Sequence, residues 1–117
     1  MNKNILKEKS HAFAILIVKL SQSLVNDKKE YVLSKQLLRS GTAVGALIRE
    51  AEFAQSKADF INKMSISLKE ANETLYWLDL LKDTNYITEE AHKSHFKLNK
   101  ELVAMLVSSV KTTKSKL

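Results

Sequence analysis

The sequence predicts an all-α fold, an antiparallel up-down-up-down four-helix bundle, and three observations carry that expectation. Of 117 residues only two are glycine and none is proline, whereas β-rich folds need turn residues at short intervals. Apolar residues recur at steps of three and four, the period of a helix with one buried face. Polar breaks at 26–30, 55–56 and 83–88 leave four segments joined by short loops, and such segments pack antiparallel around one core. A chain of this length forms one domain over 1–117 with enough buried surface to need no staples.

The first helix is expected over 4–25, with Leu6, Phe13, Leu16, Ile17, Leu20 and Leu24 on its core face. It is apolar almost all round, because Ile15, Val18 and Val25 point the other way. The second is expected over 33–54, and its seam of Leu37, Ser40, Val44, Leu47, Ala51 and Ala54 is small in the middle. The third is expected over 57–83, opened by Ser56 as N-cap with Asp59 three residues on. It turns Phe60, Met64, Ser67, Ala71, Leu78 and Leu81 inward, and Asn85 suits its C-terminal cap. The fourth is expected over 88–112 behind Thr88, with Glu89 and Glu90 in the favourable first turn. It buries Ala91, Leu98, Leu102, Met105 and Leu106 and leaves a basic tail over 113–117.

Antiparallel packing supplies a ruler. With loop centres near 29, 55 and 86, Arg39 lies level with Glu70 and Glu73, and its planar donors suit a structural carboxylate fork between helices two and three. Gly41 and Gly45, one turn apart, face 66–70 on the same ruler. Each glycine inside a helix costs about 1 kcal/mol relative to alanine, so the pair points to close approach of helices two and three.

Several chemistries drop out. The chain has no cysteine, which removes disulfides and thiol nucleophiles, and it has no glycine-rich phosphate loop. No apolar stretch reaches the roughly 18 to 20 residues a bilayer requires. The run 12–18 is closed by Lys19 with no small-residue cleavage pattern behind it, so a cytoplasmic protein is expected. Glu89-x-x-His92 has the spacing of half a bundle di-iron site, but no second half is present, and His11, His92 and His95 lack ligand partners. No metal, cofactor, small-molecule substrate or catalytic residue is expected, and enzymatic activity is not.

The net charge of +6 is uneven. Residues 1–39 hold eight basic and three acidic residues, 40–90 hold five and nine, and 91–117 hold six and one. The end where both termini meet collects Lys3, Lys7, Lys111, Lys114 and Lys116, while Lys93, Lys97, Lys100 and Lys111 align opposite the core face of helix four. Such a stripe neutralises RNA or DNA phosphates without sequence preference, or serves as a solvated face that keeps a protein soluble. A second apolar set lies off the seams: Ile66, Trp77 and Leu80; Ile15, Val18 and Val25; Phe96, Val103, Val107 and Val110. A monomeric bundle cannot bury them all, which points to a homo-oligomer with Ile66, Trp77, Leu80, Ile15 and Val18 in its interface.

The stretch 36–45, Gln-Leu-Leu-Arg-Ser-Gly-Thr-Ala-Val-Gly, continues through Ile48-Arg49-Glu50-Ala51. It resembles the second-helix signature of the four-helix-bundle proteins encoded by intervening sequences in bacterial 23S rRNA genes. The segment 56–78 is similar as well, through Ser56 to Ile61, Lys63-Met64, Leu68 to Ala71, Glu73-Thr74 and Tyr76-Trp77-Leu78. The resemblance covers about half the chain and implies a ring-shaped pentamer without enzymatic activity. It also implies plausible nucleic-acid binding, since a relative by fold, an accessory protein of diversity-generating retroelements, binds nucleic acid through a basic pentamer surface. Ala43 and Leu47 depart from the pattern, standing where many members carry Ser and Asn.

Overall fold

A computed structural model describes residues 3–116, with side chains from residue 5 onward. Four helices follow one another: α1 Lys3–Lys28, α2 Leu33–Glu52, α3 Lys57–Asp83 and α4 Glu89–Lys114. Each packs on its sequence neighbours, and α4 closes the ring against α1, so the chain is an antiparallel four-helix bundle 47 Å long and about 20 Å across. α1 runs three residues past its expected end, and α4 runs two past its own, taking Lys114 into its last turn.

Local chemistry sets the helix ends. Ser56 Oγ accepts from Asp59 N at 3.0 Å and Thr88 Oγ1 from Ala91 N at 3.1 Å, satisfying donors that have no intrahelical partner. Asn85 takes the left-handed conformation, φ 66°, just past α3. The α1–α2 turn works differently: Lys29 is left-handed, φ 55°, and no side chain at the N-cap position Val32 caps α2. The buried Glu30 carboxylate does so instead, accepting from Val32 N, Leu33 N and Ser34 N at 3.3, 3.1 and 2.7 Å. Its negative charge also complements the positive end of the helix dipole.

Phe13, Ile17, Leu24, Leu37, Val44, Ala71, Leu78, Leu81, Leu102 and Leu106 form the centre of the core. Four expectations are corrected. Leu16 is 38% exposed, because it lies off the Phe13–Ile17 stripe, on the flank that carries Lys9. In α2 it is Ile48 that is buried and Leu47 that is half-buried, since Ile48 lies in the middle of the face set by Leu37, Gly41, Val44 and Ala51 and Leu47 at its edge. Val110 is buried, not surplus, and Met105 and Leu98 only flank the core.

The fourth correction concerns the glycines. They face α1, not α3: a Cβ on Gly41 would stand 2.8 Å from both Cγ atoms of Ile17, and one on Gly45 would stand 3.3 Å from Ser10 Oγ. The α2–α3 contact is made instead by small hydroxylated residues. Ser67 Oγ donates to the Val44 carbonyl at 2.9 Å, and the Thr74 hydroxyl donates to Ser40 Oγ at 2.9 Å. Ser40, Ser67 and Thr74 are fully buried, so these bonds replace water that the core excludes.

The two glycines should therefore respond differently to alanine. Gly41→Ala is expected to destabilise by roughly 1 to 3 kcal/mol, overpacking outweighing the gain in helix propensity, and the loss should shrink when Ile17 is also cut to alanine. Gly45→Ala should change stability by less than about 1 kcal/mol, because its neighbours need give only slightly. Urea denaturation of the single and double variants checks both.

Candidate nucleic-acid interface

Helix α4 presents its lysines on the side away from the core. At about 100° per residue, the buried Asn99, Leu102, Leu106 and Val110 define one face. Lys93, Lys97, Lys100 and Lys111 fall on the opposite side, and all four are exposed. Lys93, Lys97 and Lys100 lie within two turns, about 10 Å of helix, whereas Lys111 stands about 16 Å further on, beside Lys114. The face is thus a compact lysine cluster and a separate basic end.

Of the other two lysines assigned to this surface, Lys7 is described. Lys7 is held by Glu52, Nζ to Oε1 3.2 Å, and is a half-covered α1–α2 tie rather than a free cation. Antiparallel packing that sets α1's start beside α2's end makes this pair. Lys3 lies outside the residues whose side chains are described. On the α1–α4 flank Lys9 pairs with Glu101, the residue after Lys100, at 3.5 Å.

Beside the cluster a shallow groove runs between α4 and the end of α3, lined by Lys82, Glu89, His92, Lys93, Phe96 and Lys97. His92 Nε2 lies 2.7 Å from Asp79 Oδ1, which fixes the imidazole against α3. The Phe96 ring lies 5.0 Å from the His92 ring, centroid to centroid and 31° apart in plane, and Lys100 Nζ stands 5.7 Å from the Phe96 centroid. From sequence Phe96 counts as surplus apolar surface, and Lys82 is not assigned to the basic face. The signal for Phe96 was available, three residues after Lys93 and four before Lys100, but Lys82 joins from another helix. Among the described residues no three His, Asp or Glu side chains converge on a metal-sized site. His95 Nδ1 faces the Ala91 carbonyl at 2.7 Å.

The residues assigned to an oligomer interface divide. Ile15 and Val18 are exposed, 44% and 36%, and Ile5 and Leu16 add to the apolar surface of α1. Ile66, Trp77 and Leu80 on α3 are half-buried, and Trp77 packs on the chain's own core with its indole N–H donating to Glu73 Oε2 at 2.9 Å. The same Glu73 oxygen pairs with Arg39 Nη2, and Arg39 Nη1 lies 3.2 Å from Glu70 Oε1. Arg39 therefore ties α2 to α3 while Glu73 also orients the tryptophan.

A family model for the 23S rRNA-intervening sequence protein matches residues 2–108. The chain belongs to that family. It is similar in structure to a protein of unknown function from the S23 ribosomal protein family of Bacteroides thetaiotaomicron VPI-5482, with 57% identity and a TM-score of 0.93. That likeness covers 95% of this chain and 99% of the other. No curated protein matches the chain. Among the described residues no helix of this family member is long and apolar enough to cross a membrane.

Trp77, the single tryptophan, reports on the Arg39 fork. Arg39→Ala should lower stability by no more than about 1 kcal/mol, since Arg39 is half exposed. It should also change the Trp77 emission, because Glu73 loses its cation. Urea denaturation followed by fluorescence reads both.

Proposed function

We propose that this protein is a non-enzymatic homo-oligomer that binds nucleic acid through the outer face of α4, with little sequence preference. The observation that carries the reading is the cluster of Lys93, Lys97 and Lys100, exposed within two turns of one helix and joined across the groove by Lys82. Phosphate neutralisation by such a cluster releases counterions and gives an affinity that falls steeply with salt. Lys111 and Lys114 extend the positive surface toward the bundle's end.

Labelled mixed-sequence RNA titrated at about 50 and 200 mM salt tests this by fluorescence anisotropy. Binding at low salt should weaken by orders of magnitude at high salt if several phosphates are contacted. Replacing Lys93, Lys97, Lys100 and Lys111 together by glutamine should abolish most of it and flatten the salt dependence. Unchanged binding by that variant would sink the assignment.

The oligomer is the second part of the reading, and the apolar outer surface of α1 supports it. Ile5, Ile15, Leu16 and Val18 are each more than a third exposed on one helix, an arrangement that marks an interface more often than a solvated surface. A ring of five copies is the state proposed, from the family resemblance. Light scattering on the purified chain should give a mass several times 13.3 kDa, and Ile15→Glu with Val18→Glu should reduce it to the monomer. A monomeric wild type would overturn this part. The alternative reading is a protein-interaction module that uses the same apolar surface for another protein. It is favoured if RNA binding is absent and the wild type is monomeric.

A further inference from the structure

The lysine cluster does not stand alone: an aromatic ring is set among the cations. Phe96 lies off the buried face of α4, is half-buried, and lines the groove with Lys82, Lys93 and Lys97. His92 holds it from one side, and His92 is itself pinned to α3 by Asp79. The side chain of His92 is only 12% exposed, so the support is fixed and not free to swing. Over the Phe96 ring stands the Lys100 ammonium, a flexible group making a cation–π contact. A ring that receives a mobile ammonium has an accessible π-face, and a planar base can take that place while Lys100 turns to a phosphate.

From this geometry we infer that the groove between α3 and α4 binds single-stranded nucleic acid, with one base stacked on Phe96 and the flanking phosphates held by Lys93, Lys97, Lys100 and Lys82. The inference rests on the nucleic-acid reading above and narrows it. A duplex offers phosphates to the lysines but keeps its bases stacked on one another, so it gains nothing from Phe96. A single strand supplies both the phosphates and an unstacked π-face, and base–aromatic stacking is tolerant of sequence because every base has one. Charge complementarity selects the occupant: Lys82, Lys93 and Lys97 line the groove with the ring and Lys100 stands over it, against Glu89 in the first turn of α4 and Asp79, which is taken up by His92.

The test compares a labelled 12-nucleotide mixed-sequence RNA with the same strand annealed to its complement, at about 100 mM salt, well within the range where phosphate contacts still register. The single strand should bind at least about tenfold more tightly than the duplex, and Phe96→Ala should weaken single-strand binding by about 5- to 150-fold. Duplex binding and the salt slope should stay unchanged in that variant. Phe96→Trp, which restores a stacking surface, should retain or improve single-strand binding and controls for any loss of fold. Equal single-strand affinities for wild type, Phe96→Ala and Phe96→Trp, with salt-dependent binding intact, would overturn the stacking site and leave the lysine surface standing. Absence of RNA binding by the wild type, or full binding by the four-lysine variant, would overturn the broader reading and this one with it.

Discussion

The fit of α2 between its two neighbours is the constraint on which the rest of the bundle depends. On one flank Gly41 and Gly45 have no side chain where Ile17 and Ser10 of α1 press in. On the other, Ser40 and the Val44 carbonyl meet Thr74 and Ser67 of α3 through hydrogen bonds in a buried contact. Small residues on both flanks let the two seams close at once, and a close-packed interior tolerates little change at either. Ser21 Oγ donates to the Ser34 carbonyl at 3.2 Å, and Glu30 caps α2 beside it, so the seam is closed at its end as well.

That tight half leaves the other half to carry surface chemistry. α4 is joined to the core by Leu102, Leu106 and Val110 and tied to α3 by Asn99, whose amide donates to the Ala71 carbonyl at 2.9 Å. This contact fixes the rotation of α4 about its axis and hence the direction in which its lysines and Phe96 point. The oxygen of the same amide, Asn99 Oδ1, is buried without a hydrogen-bond partner. α1, apolar almost all round, completes the core with one face and presents the other outward, where the bundle offers it nothing.

Much of this was legible from sequence because it depends on neighbours along one helix. Ser56 and Thr88 cap the helices they were assigned, Asn85 is left-handed behind α3, and the level of Arg39 with Glu70 and Glu73 follows from antiparallel packing and loop position alone. Glu30 was hidden, because a carboxylate reaching forward to three amides replaces the usual short side chain at the N-cap. The glycines were assigned to the wrong seam for a geometric reason: residues 40, 41, 44 and 45 span both flanks of α2, and a rotation of one residue exchanges the neighbours they meet. The same rotation buries Ile48 in place of Leu47.

By itself the sequence determined the fold class, the order and approximate ends of the helices, and the sign of the charge on α4, since these follow from period, caps and composition. Only the tertiary structure decided which helix the glycines admit, that Lys7 is engaged by Glu52, that Trp77 turns into its own core, and that Lys82 joins Phe96 and the α4 lysines around one groove. Apart from the Lys7–Glu52 pair, which antiparallel packing makes, each of those depends on the rotation of a helix about its axis. Hydrophobic period fixes that rotation to within about one residue, about 100°, and only the packing of one side chain against another fixes it further.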